Sequence, residues 1–452
     1  MKSPLQNLCS DSLKSQLLKG AGGSAVLKLI NIPLMLGTGV LLARSLGPEN
    51  YGLYSFVLAI VTMLALPTKA GIPTLLVKEV AKKNLNNEWG LIRGILKLSN
   101  SVVFGYSVIV ILSASIFVYT YYGPEESFRA KVFFWSLPMI PLIAFEGLRT
   151  GALRGLSRVI FSQIPEAIVR PVLMLTFLSI FIFLGKEITS IDAMRFQVIA
   201  AVSAFLIGSA FLLYALPHQV RNIQPEYAIK PWAKSLIPLS IFAGVQLLDA
   251  QISIILLGFL GNNDEQVALL RVASTGAGLV VFSLTAVNMT LGPHVARLYA
   301  AGEIQKLQQI LSVSVRGAMF FAVPIALIFI FWGDAILLVV FGIEYAGAAP
   351  LLVILSVAQL INCAAGSVAT ILHMTGNENS TVFGSVIGLL ANVFFGVILI
   401  PLYGAMGAAY SFAASIIIWN VILMVMVKRR LGLKSYFFVS VSLKKISGPK
   451  HD

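Results

Sequence analysis

Apolar residues in this chain occur in long unbroken runs, and about twelve of these runs approach the ~20 residues that carry a helix across a bilayer. They lie at roughly 24–45, 51–76, 98–121, 131–153, 160–184, 194–216, 235–260, 267–292, 315–332, 350–373, 381–401 and 404–427. A helix that is apolar on every side has no water-facing surface, so lipid is its natural solvent. The pattern predicts an all-α polytopic membrane protein with about 12 transmembrane helices in two six-helix bundles. The expected organisation is an interfacial segment at 1–23, a first bundle at 24–216, a linker at 217–234, a second bundle at 235–427 and a basic tail at 428–452. Residues 333–349 are apolar but short and broken by Gly342, and read as an outer helix or re-entrant piece.

Weak internal repetition supports the two-bundle reading. Leu46-Gly47 matches Leu260-Gly261, Val80-Ala81-Lys82 matches Val295-Ala296-Arg297, and Ile95-Leu96 matches Ile310-Leu311, the last at an offset of 215 residues. Six spans per half would insert both halves in the same orientation, as in transporters built from parallel repeats.

Composition sharpens the picture. The chain has 452 residues, of which 58% are hydrophobic and only 12% charged, so little is left for a separate soluble domain. A net charge of +14 raises the question of nucleic acid, but the distribution of charge answers it. With the N-terminus inside, most of the 33 Lys and Arg fall in inner segments. The outer segments hold Arg44, Arg129, Lys131, Lys186, Arg195 and Arg271, while Lys28, Lys69 and Arg170 lie within spans. Such asymmetry sets topology, because basic loops resist translocation. Both termini are therefore expected in the cytoplasm, with no nucleic-acid partner. The first 23 residues lack the continuous apolar stretch of a signal peptide. Two cysteines, Cys9 and Cys363, make no disulfide framework.

Ionisable groups inside spans are the sharpest functional signal, since each costs about 2.5–3.5 kcal/mol at mid-span on insertion scales. Lys28 and Asn31 share one face of the first span, and Gln163, Glu166 and Arg170 share one face of the fifth. Gln246 and Asp249 lie in register in the seventh, Glu146 and Arg149 in the fourth, Lys69 in the second, and Arg271 near the outer end of the eighth. These stripes imply a central hydrophilic cavity lined by Lys28, Asn31, Lys69, Arg149, Gln163, Arg170, Gln246 and Arg271. Glu146, Glu166 and Asp249 are candidates for ion coupling or charge pairing. Local pairs, Glu166 with Arg170 and Glu146 with Arg149, are the competing structural reading. No GxxxxGK[ST] loop, HExxH, GxSxG or paired CxxC is present. No cofactor is expected, and an H+ or Na+ gradient is a candidate energy source.

The passage LLARSLGPENYGLYSF (Leu41 to Phe56), with Lys28 before it and GIPTLLVKEVAKK (Gly71 to Lys83) after it, resembles the start of Wzx-type O-antigen flippases. The stretch FGIEYAGAAPLLVIL (Phe341 to Leu355) is similar to the segment before their tenth span. These proteins belong to the multidrug/oligosaccharidyl-lipid/polysaccharide (MOP) exporter superfamily, with a MATE-like fold. Gly47 and Pro48 are read as ending the first span in a hairpin, with Glu49 and Tyr51 at the interface. The resemblance implies a transporter, not an enzyme. Its cargo would be an undecaprenyl-diphosphate-linked oligosaccharide for cell-surface polysaccharide of the O-antigen (lipopolysaccharide) or capsule type. Membrane lipids and the polysaccharide polymerase machinery are the implied partners. Three alternatives stay open: an ion-coupled MATE-type drug exporter, a peptidoglycan lipid-precursor flippase, and a membrane polymerase or glycosyltransferase.

Overall fold

The computed structural model describes the backbone of residues 4–122, 127–261, 263–433, 435 and 437. Side chains are described from residue 23 onward, apart from those at 25, 69, 70, 121, 122, 237, 238, 242 and 289. The interfacial reading of residues 1–23, most of the basic tail and the Lys69 side chain thus lie outside the described residues. Among the described residues regular structure is entirely helical. Eleven helical stretches are long and apolar enough to cross a membrane. The first of them, Val26–Leu64, runs for 39 residues, or ~58 Å at 1.5 Å per residue, about twice the hydrocarbon thickness of a bilayer. It is broken at Gly47, whose φ of 69° and ψ of 170° are not helical. Two passes therefore lie in one stretch, and the total agrees with about twelve spans.

The chain forms two compact units, Met1–Arg271 with Val340–Glu344, and Val272–Val339 with Tyr345–Asp452. The first unit contains α1 (Pro4–Leu64), α2 (Leu66–Ala70), α3 (Ile72–Leu85), α4 (Trp89–Tyr122), α5 (Phe128–Ser136) and α6 (Met139–Gly155). It continues through α7 (Val159–Ile164), a π-helical turn (Pro165–Val169), α8 (Arg170–Phe183), α9 (Ser190–Ala215), α10 (His218–Asn222) and α11 (Ile229–Leu260). The first residues of α12 (Asp264–Ala300) also belong to it.

The seventh span, α11, thus packs with the first six, and the unit boundary falls after Arg271 instead of in the 217–234 segment. The reason is local. That segment is fastened to α4: Glu226 N–H donates to Gly90 O at 2.9 Å, and Gly94 has no Cβ because the Glu226 carbonyl fills the space. Trp232 is buried to 4% exposure, and its indole N–H donates to Glu79 Oε2 at 3.3 Å. Gly71 and Ser240 then bring α11 against the α2–α3 turn, where a Cβ would overlap the Ser240 backbone nitrogen at 2.9 Å. Ile72, Leu75, Leu76, Val80, Ile95 and Leu148 bury the apolar face beneath.

The second unit holds the rest of α12, α13 (Ile304–Val340) up to Val339, a 3-10 turn (Ile343–Ala348) from Tyr345 on, and α14 (Ala349–Ala365). It closes with α15 (Val368–Met374), α16 (Glu378–Tyr403) and α17 (Ala405–Leu431). Within the 333–349 stretch, α13 continues past a kink at Trp332 to Val340, Gly342 turns the chain at a φ of 105°, and the 3-10 turn follows. Small residues let α16 and α17 approach closely. Ser415 Oγ donates to Gly388 O at 2.7 Å, and Gly384 and Gly388 face Leu423 and Trp419. Asn420 Nδ2 donates to Asn362 Oδ1 at 3.0 Å, tying α17 to α14.

Candidate functional site

The polar residues of the first unit gather where α1, α6, α8 and α9 meet. Pro165 lacks a backbone N–H, and the helix widens there into a π turn before resuming at Arg170, whose N–H reaches back to Pro165 O. Asn31 Nδ2 donates to Ala167 O at 2.8 Å, so α1 satisfies a carbonyl in the widened turn. One turn earlier, Gln163 Nε2 donates to Ser24 Oγ at 2.9 Å. The first span is thereby fixed to the fifth at two levels.

Arg170 projects from the end of the π turn toward α6 and α9. Its Nη1 stands 4.0 Å from Glu146 Oε2, with the two side chains 18% and 16% exposed. With the Gln197 amide turned so that its oxygen faces the guanidinium, Oε1 accepts from Arg170 Nε at 3.1 Å and also from Nη2. Helix α9 is started by a capping box in which Thr189 and Asp192 bond each other's backbone N–H, and Gln197 follows on its buried side. The guanidinium is held by a carboxylate on one helix and an amide on another. A carboxylate 4.0 Å away is an exchangeable partner: an anion with closer oxygens would compete for the same donors.

Two tyrosines extend this polar layer. Tyr51 and Tyr54 stack with ring centroids 6.5 Å apart, and both are buried. The Tyr51 hydroxyl is hydrogen-bonded to Arg271 and Ser55, and Tyr54 lies within electrostatic range of both Arg170 and Arg271. Arg271 is thereby tied to the Tyr51–Tyr54 pair. Tyr51, Tyr54 and Gln197 were not among the residues picked from sequence. Gln197 and Tyr54 were legible only as polar groups inside apolar spans, and Tyr51 was read as an interfacial residue beside the hairpin.

The remaining expected residues lie elsewhere. Arg149 is buried, with Nη1 donating to the Phe205 carbonyl and to Ser209 Oγ at 3.3 Å, and its guanidinium sits 4.1 Å over the Phe205 ring. Gly208 makes room for it, since a Cβ there would stand 2.9 Å from Nη1. Arg149 clamps α6 to α9 through Nε and Nη1, which bond the Phe145 and Phe205 carbonyls and Ser209. The ion pair runs between helices, from Glu146 to Arg170, in place of the local pair Glu166–Arg170; Glu166 is exposed and forms no ion pair among the described residues. Lys28 is exposed and within electrostatic reach of a like charge, Arg154, which is also exposed. Gln246 and Asp249 lie on α11, which packs on α1, α2 and α3. Among the described residues no group of three or more His, Cys, Asp or Glu is placed to hold a metal.

A bundle of this kind with charged groups between its helices is a membrane transporter fold, and solved structures agree. The chain superposes with TM-score 0.72 on a multidrug resistance MATE family transporter of the MOP superfamily, covering 89% of this chain and 94% of that one at 13% identity. It superposes with TM-score 0.69 on the lipid II flippase MurJ, covering 89% and 87% at 16% identity. At such identities the likeness establishes the fold. Residues 17–299 match the family model described as polysaccharide biosynthesis protein, and the chain belongs to that family. It is also similar to the probable low-salt glycan biosynthesis flippase Agl15 of Haloferax volcanii, at 27% identity over 130 residues. That match spans 29% of this chain and 28% of the relative.

Proposed function

We propose that this protein is a flippase that carries a polyprenyl-diphosphate-linked oligosaccharide, in its undecaprenyl form, across the bacterial inner membrane by alternating access. The exported repeat would feed cell-surface polysaccharide of the O-antigen or capsule type. The observation that carries the reading is the Arg170 guanidinium held between Glu146 and Gln197, with a second cation, Arg271, hydrogen-bonded to the buried Tyr51. Cationic donors buried in a span are costly, and a diphosphate repays that cost with charge-assisted hydrogen bonds. Cargo phosphate would displace the Glu146 carboxylate from Arg170, and the released carboxylate, like Asp249, is a place for a coupling proton or Na+. Asn31 and Gln163 fix the helices that carry the site, and Gln246 remains a candidate for sugar hydroxyls. Basic inner segments support cytoplasmic termini, and the delivered repeat would pass to a polymerase.

Complementation tests this reading. In a strain lacking its polysaccharide flippase, the chain should restore surface polymer and clear lipid-linked repeat from the inner leaflet. Drug resistance without polymer export would favour the MATE-type reading. Rescue of peptidoglycan precursor export alone would favour the MurJ-like one.

A further inference from the structure

Away from the Arg170 cluster, the first unit contains an apolar cavity of about 350 Å³ between α1, α4, α5 and α11. Leu53, Phe56, Val57, Ile60 and Leu64 line one wall at the spacing of a single helical face, while Tyr54, between them, is not part of the lining. Arg129 closes one end, and Ser113 is the other polar residue of the lining. We infer that this groove binds one acyl chain of an anionic membrane phospholipid, with the lipid phosphate seated on Arg129.

Three observations select that occupant. A sugar or an ion would lose its hydration against these walls without hydrogen bonds in return, whereas a hydrocarbon chain would lose nothing. The wall from Leu53 to Leu64 rises ~16 Å, about half the hydrocarbon thickness, which is the depth of one leaflet. A chain reaching in from one surface fills it, and a far longer polyprenyl tail does not fit its length. The third is charge at the open end. Arg129 is 47% exposed, and its Nη2 is held by Asp264 Oδ2 at 2.8 Å, which leaves Nε and Nη1 to other acceptors. Lys131 stands exposed two residues along, and Trp135, also exposed, lies under the Arg195 guanidinium at 4.5 Å. Basic and aromatic side chains at that level mark a headgroup interface. The inference is independent of the flippase reading.

The test is photo-crosslinking in vesicles of phosphatidylethanolamine and phosphatidylglycerol, using phosphatidylglycerol with a diazirine on its acyl chain. Label should concentrate on the Val110–Val118 stretch of α4. Ser113→Trp, which fills the groove from an exposed position, should lower it roughly tenfold, while label on the lipid-facing Phe394 region stays constant. Ala114→Leu, a smaller plug, guards against misfolding of the first variant. Arg129→Ala should lower it about fivefold and Arg129→Lys should restore it. Label unchanged by both plugs would overturn the inference. So would label displaced by undecaprenyl diphosphate but not by unlabelled phosphatidylglycerol, since the occupant would then be cargo. Export measured on Ser113→Trp is scored separately, so loss of lipid label with intact export leaves the flippase reading untouched.

Discussion

Replacing Arg170 by Ala leaves Glu146 with its interhelical partner gone, inside a helix flanked by lipid. At 4.0 Å and an effective dielectric of ~20, opposite unit charges attract by about 4 kcal/mol. Desolvation of both groups consumes much of this, so a measured coupling of about 1–3 kcal/mol is expected. Losing one partner alone costs more than the coupling, about 3–5 kcal/mol for a buried pair, and the lower end applies because Glu146 can take up a proton. The assay is a double-mutant cycle on thermal unfolding in detergent with Arg170→Ala, Glu146→Gln and the two together, alongside export in the complementation strain. Arg170→Ala should abolish export and be the least stable, and adding Glu146→Gln should recover part of the stability without recovering export. Arg170→Lys should export weakly, because it keeps the charge and loses the planar fork that Glu146 and Gln197 share. Effects that add to within about 0.5 kcal/mol would show that the two residues are uncoupled. Normal export by Arg170→Ala would remove the guanidinium from the cargo site.

Other outcomes follow from neighbouring contacts. Gly52→Ala places a Cβ against the carbonyl of Asp264, and since backbone opposes backbone neither side can yield; a loss of about 1–3 kcal/mol should lower the thermal midpoint. Asn31→Leu strips the hydrogen bond from Ala167 O and should cost about 1 kcal/mol, with a further drop in export because the π turn loses its brace. Outside the spans, the hydrogen bond from Lys83 at 2.5 Å, with help from Asn86, holds the Glu88 carboxyl below its ordinary 4.5. A depressed carboxyl stabilises the fold above the unfolded value and loses that effect as pH falls through the folded one. Protection of the α3–α4 turn amides, taken relative to intrinsic exchange at each pH, should therefore fall on acidification below about pH 4.5, and Glu88→Gln should flatten that response.

Helix count, span positions and the break at Gly47 were legible because lipid demands uniform apolarity and a glycine marks where it ends. The partner of each buried charge was not legible. Periodicity offered Glu166 for Arg170 at one turn, but the geometry joins Arg170 to Glu146 on another helix, and only tertiary approach decides between them. Arg149 shares a face with Glu146, yet the missing side chain at Gly208 draws its guanidinium onto the α9 backbone. Tyr51 looked like an interfacial residue of the Gly47–Pro48 hairpin and Tyr54 like an ordinary member of the second span, because hydropathy cannot tell an interfacial tyrosine from one bonded to a cation inside the bundle. The docking of α11 depends on Gly71, which faces Ser240, and on Gly90 and Gly94, which seat Glu226 of the segment leading into it; their value lies in the space they vacate.

The π turn at Pro165–Val169 behaves as a single residue inserted into an otherwise α-helical rod. Each residue advances a helix by ~100°, so excising one residue there would restore α phase and swing Arg170, with all of α8 beyond it, about a quarter-turn around the axis. A chain without the extra residue would present a different side chain to Glu146 and Gln197. Under the proposed function, one indel at this spot would be a compact route to new cargo preference, with hydropathy left unchanged.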